Sequence, residues 1–167
     1  MRLGFAAASG EVLMILDADL TVAAEDLPRF YDVIAEGRGE LVNGCRLVYP
    51  MDGKAMRFLN RLGNKFFSLA FSAILEQRIK DTLCGTKVLR REHYDRIAGG
   101  RGFFGGLDPF GDFDLLFGAA KQNLKIVEMP VRYRARTYGE TKIDRFREGW
   151  LLLRMTWLAL RKFLGAR

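Results

Sequence analysis

The chain has 167 residues, of which 49% are hydrophobic and 28% are charged. These values suit one globular domain with a buried core, and the 13 Phe, 5 Tyr and 2 Trp argue against a disordered chain. With only two Cys and one His, neither a disulfide framework nor a zinc site is indicated, so a reducing cytosol is the expected compartment. No repeat or linker divides residues 1–167, and we expect a single domain.

The net charge of +7 is concentrated near the C-terminal end. Residues 132–167 contain ten Lys or Arg and three Asp or Glu, whereas residues 1–131 contain seventeen of each. Such a basic segment indicates a phosphate-bearing partner, and composition leaves open nucleic acid, an anionic lipid surface or a phosphorylated substrate. The apolar runs at 66–75 and 150–160 are too short, or are interrupted by Arg154, to cross a bilayer.

The first half of the chain predicts a strand, helix, strand unit. Residues 11–16 form a continuous apolar run, typical of a strand buried on both faces in a mostly parallel sheet. Residues 24–36 predict a helix that Gly37 ends, and residues 41–47 predict the next strand. Cys45, in this second strand, is interpreted as a small core residue.

The second half predicts helices at 54–76, 112–122 and 145–164 and strands at 82–89 and 125–131. Cys84 is read as a core residue and His93 as a surface residue. Two helices carry apolar stripes: Phe58, Leu62, Phe66, Leu69 and Ala73 in the first, and Phe146, Trp150, Leu153, Trp157, Leu160 and Leu164 in the last. Such stripes usually pack against a core, but neighbouring basic residues also suit contact with an anionic membrane.

Asp17 and Asp19 follow the first predicted strand directly. Ligands of open α/β sheets bind at the carboxyl ends of strands, and strand alternation would put both carboxylates on one side. There they could hold Mg²⁺ or Mn²⁺, which would bridge two phosphate oxygens of a nucleotide diphosphate. The alternative is that one of them caps the following helix.

Four segments, in order, resemble motifs of the family 2 glycosyltransferases, in the branch of dolichyl-phosphate mannose synthase and polyprenyl-phosphate sugar transferases. They are ASGEVLMILDAD at 8–19, DTLCGTKVL at 81–89, GDFDLL at 111–116 and RTYGETKI at 136–143. Gly111 stands where the family has Glu, so one carboxylate is missing. Asp114 replaces Glu and Thr141 replaces Ser, and both preserve the chemistry.

The resemblance implies a GT-A-type α/β fold, with a mostly parallel sheet flanked by helices. It also implies a metal-dependent, inverting transfer from a nucleotide-diphosphate sugar donor to a polyprenyl phosphate. Asp17 and Asp19 would be the metal ligands. Asp112 and Asp114 are the catalytic candidates, with Asp112 as general base or acceptor-orienting group; the alternative is that they only favour a helix N-terminus.

The same resemblance suggests phosphate binding by Arg134, Arg136 and Lys142, because Arg presents a planar fork and Lys a mobile charge. The alternative is a solvated run of charges beside a strand. We expect a peripheral protein at the cytoplasmic face of an anionic membrane, with no nucleic-acid partner because Trp150 and Trp157 belong to the apolar stripe. The competing hypothesis is a non-catalytic basic module that binds anionic lipid or nucleic acid.

Family members normally have three strands before the Asp-x-Asp strand, including the one that forms the nucleotide-base pocket. The sequence is therefore expected to be an N-terminally truncated catalytic domain, its C-terminal two-thirds. From this we expect an exposed sheet edge, a tendency to aggregate, weak binding that does not distinguish bases, and no transfer by the isolated 167 residues.

Overall fold

A computed structural model describes residues 1–48, 58–100, 111–134 and 145–164 of the chain. Within these ranges the strands are β1 (Val12–Ile15), β2 (Leu41–Cys45), β3 (Lys87–Arg90) and β4 (Ile126–Pro130). The α-helices of the same ranges are α1 (Arg2–Ala7), α2 (Leu27–Ala35), α3 (Phe58–Leu75), α4 (Arg91–Gly99), α5 (Asp112–Lys121) and α6 (Arg145–Leu164), and a 3-10 turn at Ala24–Asp26 precedes α2.

The strands form one sheet in the order β1-β3-β2-β4. β2 and β4 are parallel, whereas β3 is antiparallel to both β1 and β2. The α/β class is confirmed, but the expected mostly parallel sheet is in fact mixed, because β3 lies reversed between two strands of common direction. The carboxyl ends of β1, β2 and β4 therefore share one edge of the sheet with the amino end of β3.

Helices cover both faces of the sheet, as expected. One core cluster joins α1, α3, α4, α5 and α6, with Phe71, Phe113 and Phe117 fully buried at its centre. The other joins α2 to the opposite face through Phe30, Val33 and Ile34. In β2, Leu41 belongs to the first cluster and Val42 to the second, which is the alternation of a strand buried on both faces.

Most predicted elements are confirmed within a few residues. Gly37 ends α2 as predicted: it adopts φ +67°, a left-handed conformation that glycine reaches without strain, and the Arg38 N–H bonds the Val33 carbonyl at 2.9 Å. Both Cys45 and Cys84 are buried, as predicted. His93 was expected at the surface, and this is wrong, because α4 buries its ring to 8% exposure.

The described side chains of the predicted apolar stripes on α3 and α6 do not face the core. Phe67, Phe71 and Ile74 are the buried residues of α3, and Leu152, Met155 and Ala159 those of α6. The stripe side chains that the structure describes at Phe66, Leu69, Trp150, Leu153, Trp157 and Leu160 are exposed instead. Helices α3 and α6 pack on each other. On both helices, these apolar side chains are not covered by the rest of the described chain.

In the described residues, no helix is both long enough and apolar enough to cross a membrane.

Candidate functional site at the strand ends

Asp17 and Asp19 lie in a tight turn just beyond β1, which ends at Ile15. The Leu20 N–H bonds the Asp17 carbonyl at 3.1 Å, and Leu20 has φ +50°. A turn and not strand alternation therefore sets the directions of the two carboxylates, which corrects that part of the sequence argument. The N-cap of the 3-10 turn is Ala23 and that of α2 is Asp26, so neither Asp17 nor Asp19 caps a helix.

The carboxylate of Asp19 has a defined orientation. Its Oδ1 accepts hydrogen bonds from the backbone N–H of Thr21 at 3.1 Å and from the Thr21 hydroxyl at 2.9 Å. Asp17 is exposed, and its carboxylate lies against the backbone of Gly85. Two aspartates of this kind supply the hard oxygen donors that Mg²⁺ and Mn²⁺ prefer. Among the described residues there is no group of three or more side chains that could hold a metal ion, and metal binding by Asp17 and Asp19 stays a prediction.

Arg134 is joined to this turn by the backbone. Its N–H donates to the Thr21 carbonyl at 2.8 Å, two residues beyond Asp19, and its side chain is exposed. The backbone of the segment after β4 thus runs beside the turn that carries Asp17 and Asp19. Arg136 and Lys142, the other predicted phosphate-binding residues, lie outside the described residues.

The predicted catalytic residues begin α5. Gly111 precedes the helix with φ +76°, a left-handed conformation that glycine adopts without strain. Asp112 is the first residue of α5, and the structure does not describe its side chain. Asp114 is 3% exposed, and its Oδ2 accepts a hydrogen bond from Nη2 of Arg2 at 2.6 Å. A salt bridge to α1 therefore accounts for Asp114 structurally, and catalysis by either aspartate stays a prediction.

Sequence reasoning missed a buried ion pair beside the site, formed by Arg46 and Asp81. Arg46 follows β2 and donates from Nε at 2.7 Å and from Nη2 at 2.8 Å to the two carboxylate oxygens of Asp81. The backbone N–H groups of Arg46 and Leu83 also donate to this carboxylate, at 3.0 and 3.1 Å. The guanidinium carbon lies 5.4 Å from the ring centroid of Tyr133, a cation–π distance.

The pair is charged in the folded protein. Burial by itself would raise the pKa of Asp81, but the hydrogen bonds and charge of Arg46 outweigh it and hold the pKa below its ordinary value. The same contacts outweigh burial at Arg46 and raise its pKa. The available signal was Asp81 itself, which opens the second motif, but its partner is 35 residues away in the chain.

The family model for glycosyl transferase family 2 matches residues 1–98. The chain belongs to glycosyltransferase family 2. It is 34% identical over 138 residues to the dolichyl-phosphate hexose transferase of Haloferax volcanii, a match that covers 83% of this chain and 56% of that protein.

Two further relatives have similar coverage. Glycosyltransferase AglJ of Haloferax volcanii is 30% identical over 84% of this chain and 44% of its own length. The dolichol-phosphate mannosyltransferase of Pyrococcus furiosus is 29% identical over 84% of this chain and 38% of its own length. The chain thus spans about half the length, or less, of these relatives. The family match covers residues 1–98 and so includes Asp17 and Asp19. The family that the motifs resemble is therefore confirmed.

Proposed function

We propose that this chain forms the diphosphate-binding part of an inverting glycosyltransferase that moves a hexose from a nucleotide-diphosphate sugar to a polyprenyl phosphate. The observation that carries the proposal is the hydrogen bond between Arg134 and Thr21. This backbone bond holds Arg134, whose side chain is exposed, beside the Asp17–Asp19 turn at the carboxyl edge of the sheet, where α/β proteins bind their ligands.

Different residues of the site would bind the metal ion and the diphosphate leaving group. Asp17 and Asp19 would hold a divalent cation, Mg²⁺ or Mn²⁺, which when bound neutralises negative charge on the departing diphosphate. Arg134 donates hydrogen bonds to phosphate oxygens from its exposed position, and Arg136 and Lys142 add positive charge from the following segment. Thr21 keeps Oδ1 of Asp19 in a fixed direction, which spares the site reorganisation during the reaction.

Asp112 is the proposed base or orienting group for the acceptor. A carboxylate at a helix N-terminus stays ionised, because the backbone N–H groups there favour negative charge. A hydroxyl acceptor would need this carboxylate to take its proton, whereas a phosphate acceptor is already anionic and needs only orientation. The proposed acceptor class rests on two relatives, the dolichyl-phosphate hexose transferase of Haloferax volcanii and the dolichol-phosphate mannosyltransferase of Pyrococcus furiosus.

A polyprenyl acceptor resides in a membrane, and the exposed side chains of α3 and α6 suit contact with that membrane. Trp150, Trp157 and Phe66 are 71%, 57% and 53% exposed. Arg154 and Arg161 are exposed on α6 as well, and Arg161 lies over the ring of Trp157 at 5.6 Å. Aromatic rings beside cations are typical of helices that lie in the headgroup region of anionic lipid. We therefore propose peripheral binding at the cytoplasmic membrane face.

Nucleic-acid binding is the competing reading, and the exposure of Trp150 and Trp157 removes the sequence argument against it. Single-stranded nucleic acid also binds exposed aromatic and basic side chains. Flotation with anionic and neutral vesicles, run beside filter binding of a single-stranded oligonucleotide, separates the two. We expect flotation on anionic vesicles that salt weakens, because each Lys or Arg at the surface contributes about 1 kcal/mol. Retention of the oligonucleotide without flotation would favour the competing reading.

The diphosphate site is tested by calorimetry with GDP and UDP, each with and without Mn²⁺. We expect weak binding that requires the metal and does not distinguish the two bases. The double variant Asp17→Asn with Asp19→Asn should lose the metal-dependent part of nucleotide binding, which is most of it. Asp32 is an exposed aspartate of α2, and Asp32→Asn should bind as wild type does. Metal-dependent binding that survives in the double variant would refute the proposed site.

A further inference from the structure

Gly85 is packed against the carboxylate of Asp17. A Cβ atom at position 85 would lie 2.9 Å from both Cγ and Oδ1 of Asp17 and closer still to Oδ2, and real Cβ atoms essentially never approach another atom so closely. Gly85 does not have a positive φ, so its backbone conformation does not require glycine. Space for the Asp17 side chain, and not backbone conformation, is what requires a glycine here.

The segment that carries Gly85 is fixed at its start. Asp81 is bound by Arg46 as described above, and its carbonyl accepts a hydrogen bond from the Asn43 amide at 2.7 Å. Oε1 of Glu128 accepts from the backbone N–H groups of Lys80 at 2.7 Å and Asp81 at 3.0 Å. Side chains of β2, of the residue that follows it and of β4 therefore hold the backbone at residues 80–81 in place.

The segment is fixed on either side of Gly85 too. The fully buried Lys87 donates from Nζ to the carbonyl of Cys84, the residue before Gly85. The N–H of Gly44 donates to the carbonyl of Thr86, the residue after it, at 2.9 Å. Gly44 must itself lack a side chain, because a Cβ there would lie 2.6 Å from Sγ of Cys84. The peptide groups around Gly85 thus form a rigid surface.

We infer that the segment 81–87 is a positioning element that sets the direction of the Asp17 carboxylate, with Gly85 as the surface against which that carboxylate rests. Asp17 is exposed, and its short side chain would otherwise rotate freely. The contact with Gly85 limits the rotamers that this side chain can adopt. Gly85, Lys87 and Asp81 would act through Asp17, as positioning residues.

The inference rests on the proposed function for its consequence, which concerns the metal. Groups that orient a metal ligand are worth about 10- to 100-fold in metal affinity when they are lost. A methyl group at position 85 should push the Asp17 carboxylate aside at small cost in stability, because the displaced atoms are the exposed end of a flexible side chain. The variant should therefore fold normally and bind metal more weakly.

The test uses the full chain and compares Gly85→Ala with Gly99→Ala, a matched change where nothing lies within 4 Å of the added methyl group. Side-chain coupling constants measured by NMR without metal report the Asp17 rotamer. We expect a changed rotamer in Gly85→Ala, an unchanged one in Gly99→Ala, and unfolding midpoints within about 2 °C of wild type for both. An unchanged Asp17 rotamer in Gly85→Ala would overturn the inference.

Titration with Mn²⁺ alone, followed by water-proton relaxation, measures the consequence. Gly85→Ala should weaken Mn²⁺ binding about tenfold. In an Asp17→Ala background the same change should alter Mn²⁺ binding less than about twofold, because Gly85 acts through Asp17. Equal losses in both backgrounds would overturn the positioning role. A changed rotamer with unchanged Mn²⁺ binding would support the positioning role and contradict Asp17 as a metal ligand.

Discussion

The change Asp81→Asn removes the negative charge of the buried pair and leaves its shape almost intact. Asp81 is 1% exposed and its carboxylate accepts four hydrogen bonds, two of them from the Arg46 guanidinium. Removing one partner of such a pair leaves an uncompensated buried charge and costs about 3–5 kcal/mol. The Arg46 side chain retains 17% exposure, which favours the lower end, about 3 kcal/mol.

Chemical denaturation gives this free energy of unfolding directly, and thermal unfolding should show a midpoint about 6–12 °C lower. Asp26→Asn is the control, because Asp26 pairs with Arg29 at 3.4 Å on the surface and should cost less than about 1 kcal/mol. Adding Arg46→Met to Asp81→Asn should recover about 1 kcal/mol or more, since no unpaired cation then remains. A loss below about 1 kcal/mol for Asp81→Asn would refute the reasoning.

Four further outcomes are expected. The difference in free energy of unfolding between wild type and Asp81→Asn should be full at pH 7 and shrink below about pH 4. Folding lowers the pKa of Asp81, so its carboxylate stabilises the fold above the unfolded pKa and loses that effect as pH falls through the folded pKa. Urea titrations at several pH values measure the difference. Arg134→Ala should weaken GDP binding about tenfold by calorimetry, whereas the neighbouring exposed Arg132→Ala should change it less than about threefold. Trp150→Ser with Trp157→Ser should reduce flotation on anionic vesicles, and undiminished flotation would argue against the α6 contact. Gly111→Ala should destabilise the fold by about 1 kcal/mol through its left-handed φ, while Gly100→Ala, with φ −90°, should not.

Elements that are defined by a local apolar pattern were predictable from the sequence. The buried run of β1, the helix α2 with its terminal Gly37 and the limits of α6 were each predicted, because burial on a regular backbone leaves a period in the sequence. The positions of Asp17 and Asp19 just beyond β1 also followed from this pattern. Helices α1 and α4 were not predicted, since one is a single short helix and the other carries five charged or histidine side chains.

Features that depend on distant residues could not be predicted. A strand was predicted at residues 82–89, but only Lys87–Arg90 form one. Hydrogen bonds from Gly44 and Lys87 hold residues 82–86 as an irregular segment. The antiparallel direction of β3 likewise depends on its pairing with β1 and β2, which are distant in the chain. On α3 and α6 the sequence offered two apolar faces, and only the tertiary arrangement decides that Phe67 and Met155 are buried while Phe66 and Trp157 are exposed.

The candidate site shows the same division. Asp17 and Asp19 of the first motif, and Arg134 just before the fourth, could be named from the sequence. The structure adds the Thr21 contacts, which orient Asp19 and hold the backbone of Arg134 beside the turn. Arg46 could not be named, because its importance lies in a partner 35 residues away. A single sequence without that contact offers no reason to prefer Arg46 over the other arginines of the chain.

Glycosyl transfer itself is the most direct test of the central claim. Because the chain spans 56% of the Haloferax volcanii dolichyl-phosphate hexose transferase, the assay uses a chimera in which this chain replaces the matching part of that relative. The substrates are a set of nucleotide-diphosphate hexoses and a polyprenyl phosphate in anionic vesicles, with Mn²⁺ or Mg²⁺. We predict transfer with inversion at the sugar carbon, reduced by orders of magnitude in Asp17→Asn and in Asp19→Asn and unchanged in Asp32→Asn. Near-normal transfer by both aspartate variants at saturating metal would contradict the account.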